Sequence, residues 1–168
     1  MKLVFDSTTL LYFAKLGILG KMPELGECLI PAAVYEEVVA EGKKQGQKDA
    51  LFVEGLVSDG AFKVVSFKSK SFFDKLLKFQ KLSLADCEVL AAAKESSGIA
   101  VIDDSDLRAI ASLEGIKFHG SVFMLFFLCK KKKLLKSHVR KHLDDMIALG
   151  WHCSTEFYSS VLSELEKI

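Results

Sequence analysis

No uninterrupted apolar run in this chain approaches the roughly 20 residues that a membrane-spanning helix requires. The most apolar stretch, Val122 to Cys129 (VFMLFFLC), stops at the basic run Lys130 to Lys133. It reads as a buried helix or a subunit contact, with Phe123, Phe126 and Phe127 on one helix face, and no membrane association is expected. Cysteine is sparse: Cys28, Cys87, Cys129 and Cys153 form no CxxC spacing, which removes the common zinc-ribbon and dithiol signatures. No signal peptide precedes them, so they are expected to be buried or half-buried thiols of a cytoplasmic protein. Proline is rarer still, with 2 residues, and no repeat or low-complexity tract interrupts the chain. Charge of one sign is also missing. A net charge of +1 excludes nucleic-acid binding by overall charge, but not by positive charge arranged locally around a site. His138 and His142 are four apart on an expected helix, yet no Glu lies beside the first and no third ligand is evident, which leaves the zinc-protease pattern unfilled.

What is present is a good core and a recurrent grammar around it. With 168 residues and 50% hydrophobic content, the chain is expected to form a single domain over 1–168. Lys2 to Phe5 is a short apolar run suited to a buried strand, and Asp6 with Ser7 closes it with groups that cap a helix. Leu10, Leu11, Phe13, Ala14 and Leu16 then recur near helical spacing. Cys28 to Ile30 repeats the pattern, with Pro31 at a helix entrance and Val34, Val38 and Val39 on the apolar side. Glu36 and Glu37 lie in that helix about 100° apart, so both cannot face one site. Glu37, three residues after Val34, is nearer the buried side.

Two further segments carry acids at the ends of core elements. In LSLADCEVLAAAKESSG, Ser83 stands three residues before Asp86, the spacing of a capping box with Asp in place of Glu or Gln. Glu88 is expected to point elsewhere. Ile99 to Ile102 (IAVI) reads as a buried strand that breaks into Asp103, Asp104, Ser105 and Asp106 before a helix beginning near Leu107. Three carboxylates in four residues repel one another, and a cation would relieve the repulsion. Taken singly, Asp6 is an N-cap, Glu37 a solvated helix residue, Asp86 a cap and Asp104 part of a turn. Taken in order, all fall where an α/β sheet exposes its ligand edge.

This order resembles the PIN domain, the metal-dependent ribonuclease fold found in VapC-type toxins. VFDSTTLLYFAK is similar to the family's N-terminal strand and aspartate, IPAAVYEEV to its glutamate segment, LSLADCEVLAAA to its central aspartate helix, and VIDDSDL to its final acidic strand end. The similarity covers about residues 1–125, with a C-terminal helical extension over about 126–168, and is nearest to an uncharacterised prokaryotic PIN-like subgroup. Where the family usually carries Thr or Ser, this chain has Ile102. The resemblance implies an α/β, three-layer fold with a central parallel sheet flanked by helices, plus the C-terminal helices. It implies that Asp6, Glu37, Asp86 and Asp104 hold one or two Mg²⁺ or Mn²⁺ ions and are the catalytic set, with Asp106 as an auxiliary ligand. The expected activity is endonucleolytic hydrolysis of RNA, with an antitoxin protein and a second copy of the chain as expected partners. Two other readings stand beside it: a non-catalytic module that binds RNA or protein, and a metal-dependent hydrolase of DNA or another phosphate ester.

The rest of the chain is simpler. Lys130 to Lys133, extended by Lys136, Arg140 and Lys141, is either a phosphate-contacting surface or a solvated helix face. Residues 41–50 read as a loop or helix end. A helix, a strand at Phe62 to Phe67 and a helix around Phe72 to Phe79 are expected next. Leu134 to Leu149 and Thr155 to Ile168 form two terminal helices.

Overall fold

The computed structural model describes residues 1–168 and shows one five-stranded sheet, all parallel, in the order β3-β2-β1-β4-β5. The strands are β1 (Lys2–Phe5), β2 (Glu27–Pro31), β3 (Phe62–Val65), β4 (Ile99–Val101) and β5 (Lys117–His119). Ten helices surround them: α1 (Ser7–Lys15), α2 (Ala32–Tyr35), α3 (Gly42–Lys44), α4 (Lys48–Ser58), α5 (Lys70–Leu76), α6 (Leu84–Glu95), α7 (Ser105–Leu113), α8 (Ser121–Lys130), α9 (Lys136–Ala148) and α10 (Thr155–Glu166). The fold is the expected α/β, PIN-like one.

Burial on both faces explains the composition of the strands, since a parallel sheet covered by helices needs near-continuous apolar runs. Leu3, Val4 and Phe5 are fully buried, and Val4 pairs with Leu29 on one side and Ala100 on the other. The apolar cluster runs from Leu3 to Leu165, so the C-terminal helices share one core with the sheet. The chain winds from β1 through β2 to β3 and then returns across to β4 and β5. Strand order therefore reverses between β1 and β4. Their carboxyl ends flank a crevice, the place where open α/β sheets take ligands.

Three segments differ from expectation. Lys117–His119 is a strand that no apolar run announces; it is an edge strand, held by pairing with β4, and only its middle residue is apolar. β3 stops at Val65, where its pairing partner Pro31 ends β2, rather than continuing to Phe67. The residues after α2 form a π-helical segment, Glu36–Glu41, rather than a regular α-turn. Val34, Val38 and Val39 are all buried, and the spacing of five between the first and last suits the wider turn, a feature frequent at functional sites.

Candidate metal centre at the carboxyl edge of the sheet

Asp6 follows β1 and is the N-cap of α1: its Oδ1 accepts from the Thr9 amide at 2.7 Å and the Thr9 hydroxyl at 2.5 Å. Asp104 follows β4 and is the N-cap of α7, with Oδ1 accepting from the Leu107 amide at 2.7 Å. Asp86 completes a capping box, its Oδ2 accepting from the Ser83 amide and hydroxyl, both at 2.8 Å. Glu37, in the π-helical segment, accepts from the Ser7 hydroxyl at 2.6 Å through Oε2. All four line one small cavity of about 270 Å³, together with Ser7, Thr8 and Ser83. Glu36 does not.

The arrangement has a common logic. In each carboxylate one oxygen is held by hydrogen bonding, local for the three aspartates and from Ser7 for Glu37, and the other has no protein partner. None of the four pairs with Lys or Arg. Three helix N-termini, those of α1, α6 and α7, deliver Asp6, Asp86 and Asp104, and their dipoles favour negative charge there. The helix ends do not fully offset the cost. Burial, with the charges of Asp103 and Asp86 adding to it, pushes the Asp6 carboxyl up to about 7, against the lowering effect of the Thr9 hydrogen bonds.

Hard oxygen donors of net negative charge are the chemistry that Mg²⁺ and Mn²⁺ select, so the donor set fits a divalent cation. As they stand, no three His, Cys, Asp or Glu side chains converge closely enough to enclose an ion directly. That spacing is compatible with Mg²⁺, which keeps several waters and takes only one or two carboxylates.

The neighbouring acids have other tasks. Asp106, expected as an auxiliary ligand, does not line the cavity; it sits on the exposed first turn of α7 and pairs with Lys81 at 2.8 Å. Asp103 pairs with Arg108 at 2.9 Å. The repulsion within Asp103, Asp104 and Asp106 is thus relieved by two side-chain cations, and Asp104 alone faces the cavity. Glu88 caps α2, accepting from the Ala33 amide at 2.7 Å. Arg108, five residues after Asp103, was the sequence signal for this division, because a helical arginine there reaches back over the turn.

The lysine run does not border the acidic cavity. α8 starts at the carboxyl edge behind β5, and its 10 residues carry it about 15 Å toward the opposite edge. There Lys133 pairs with Glu24, which leads into β2, at 2.8 Å. The Phe face of α8 departs from core packing as well. Phe123 is 45% exposed and stacks on His119 with ring centroids 3.6 Å apart. It lines a groove of about 880 Å³ with Phe126, Phe127, Trp151, Phe157 and Val161. Burial pushes the His119 imidazole below its usual range, and burial likewise pushes the Cys28 and Cys87 thiols up to about 12 and about 11, which leaves them protonated.

A parallel 3-2-1-4-5 sheet with acids gathered at its switch point defines an open α/β fold with a polar crevice at the carboxyl edge. A family model described as a PIN domain matches residues 2–167, and the chain belongs to that family. The match runs through α9 and α10, beyond the 1–125 segment that carries the sequence resemblance. PIN domains are generally nucleases and typically use divalent metals. No curated protein matches the chain. No helix is long and apolar enough to cross a membrane.

Proposed function

We propose that the protein is a metal-dependent endoribonuclease whose catalytic set is Asp6, Glu37, Asp86 and Asp104, serving as the toxin of a toxin and antitoxin pair. The supporting observation is the cavity itself: four carboxylates from four separate elements, each with one oxygen fixed and one left without a protein partner. Bound Mg²⁺ or Mn²⁺ would supply Lewis-acid stabilisation of the phosphodiester and a more acidic water. Asp6 and Asp104, flanking the switch point, would hold the cation, with Asp86 in support. Glu37, at the rim and steered by Ser7, would orient the attacking water and take its proton. The Thr9 hydrogen bonds keep the Asp6 carboxylate aimed, and Ser83 does the same for Asp86. The expected result is that Asp6→Asn and Asp104→Asn abolish Mn²⁺-dependent cleavage of an RNA panel while thermal unfolding stays cooperative. Cleavage of DNA but not RNA in the same assay replaces the ribonuclease reading with that of another phosphodiesterase.

A second reading is a binding module, and the aromatic groove beside α8 favours it. Exposed Phe123 and Phe157 are the kind of rigid apolar surface on which protein interfaces centre. In this reading the groove takes an antitoxin segment or a second copy of the chain. A wild-type protein inactive on every substrate, whose self-association is lost in Phe123→Asp, supports it.

A further inference from the structure

Asp103 stands beside Asp104 but faces away from the acidic cavity, and both its oxygens are occupied. Oδ1 accepts from Arg108 Nη2 and from the Ser121 amide, each at 2.9 Å, while Oδ2 accepts from Trp151 Nε1 at 3.0 Å. Arg108 Nε also donates to the Ile102 carbonyl at 2.9 Å, and the Ile102 amide donates to the His119 carbonyl at 2.9 Å. The turn from which Asp104 projects is therefore gripped from α7, β5, α8 and the segment after α9. Gly120 is where these partners crowd together. A Cβ there would collide with Arg108 Nη2 and lie 2.6 Å from Asp103 Oδ1. The backbone at Gly120, with φ −98°, suits any residue, so the need for glycine is spatial. Arg108 offsets part of the charge of Asp103, and protein donors from three elements occupy both of its oxygens.

We infer that Asp103 is a positioning residue: with Arg108 and Trp151 it fixes the peptide that aims Asp104, so the C-terminal region tunes the affinity of the acidic cavity for a divalent cation. This rests on reading the cavity as a cation site. Trp151 is the sole tryptophan and the only side chain beyond α8 that bonds to this turn. It is accordingly the point at which the brace can be released without touching an acid. Trp151→Phe keeps an aromatic ring beside Phe157 and removes only the Nε1 donor. Gly120→Ala pushes Arg108 away from the other side.

Two measurements on the full chain test the brace. In metal-free protein, amide hydrogen exchange at Leu107, which donates to Asp104, is expected to quicken about tenfold in both variants, the worth of one hydrogen bond to a charged group. Val4 and Phe5 in β1 should keep their protection. By calorimetry, Mn²⁺ affinity should fall about tenfold with unchanged stoichiometry. Wild-type exchange at Leu107 together with wild-type Mn²⁺ affinity in both variants overturns the inference, as does an equal loss of protection in β1. A wild-type protein that binds no Mn²⁺ overturns the cation reading instead, and the Leu107 exchange then decides the brace alone.

Discussion

Two cavities of this molecule are opposites. The one at the carboxyl edge is small, polar and built from side chains at the ends of core elements, whereas the groove along α8 is about three times larger and lined by aromatic rings. In the first, every acid is held by a hydrogen bond that a capped helix or a neighbouring hydroxyl supplies, so position is determined and one oxygen is spared. In the second, rings such as Phe123 and Phe157 are fixed by their helices but left uncovered on one side. A rigid polar constellation suits chemistry on one bond. A broad apolar surface suits contact area.

Substitutions should separate the two. The largest effect is expected for Asp104→Asn: cleavage should fall about a thousandfold, the scale of losing a preorganised charge-stabilising group, while the groove is untouched. Retained cleavage would remove Asp104 from the catalytic set. Phe123→Asp should leave turnover on a short RNA within about twofold and abolish any self-association seen by sedimentation.

Stability offers a second contrast. Leu125 is fully buried two residues from exposed Phe123, on the other side of α8. Truncation to Ala should cost about 3 kcal/mol at Leu125, from lost burial and the residual cavity, and under about 1 kcal/mol at Phe123. Urea titration measures both, and equal costs would mean that the groove is part of the core.

Protonation should set the acidic cavity apart as well. Asp6 titrates from the ordinary value of 3.8 up to about 7, chiefly through burial. Below about pH 4 it is protonated whether the chain is folded or unfolded. Between about 4 and 7 only the folded chain holds the proton, so metal-free stability should fall as pH rises through that window and level off above it, by at most on the order of 4 kcal/mol. Asp6→Asn should flatten the profile. A cation must displace that proton, so Mg²⁺ should restore stability most strongly above pH 7. The smallest effect belongs to Asp106→Asn, which breaks an exposed pair with Lys81; stability should move by less than about 0.5 kcal/mol and cleavage by less than twofold.

The same contrast explains what was legible in the sequence. Asp6, Asp86 and Asp104 could be picked out because each ends or begins a core element, and element ends leave local marks: an apolar run stopping at Asp6, or Ser83 three residues before Asp86; Glu37, inside a helical segment, was marked by its position three residues after Val34. Asp103 and Asp106 carry the same local marks. What distinguishes them is their partners, Arg108 and Trp151 for one and Lys81 for the other; Arg108 is near in sequence, but the pairings with Trp151 and Lys81 depend on the tertiary fold. The groove was only half legible. The spacing of Phe123, Phe126 and Phe127 marked one face of α8, but Val122 to Cys129 is apolar nearly all round, and Trp151 and Phe157 join that face only through the tertiary fold. β5 escaped notice because an edge strand of Lys, Phe and His owes its conformation to pairing with β4 rather than to its own residues. The lysine run could be read as a phosphate-contacting surface or as a solvated helix face because its place depends on the direction of α8, which carries it to the opposite edge.

The most direct test of the acidic cavity is an anomalous difference map from crystals soaked in Mn²⁺. The predicted result is a peak between Asp6, Asp86 and Asp104, with Mn²⁺ within about 2.0 to 2.2 Å of at least one carboxylate oxygen and waters completing its shell. A map with no peak in that cavity at millimolar Mn²⁺, or one with Mn²⁺ bound only elsewhere on the protein, would contradict it.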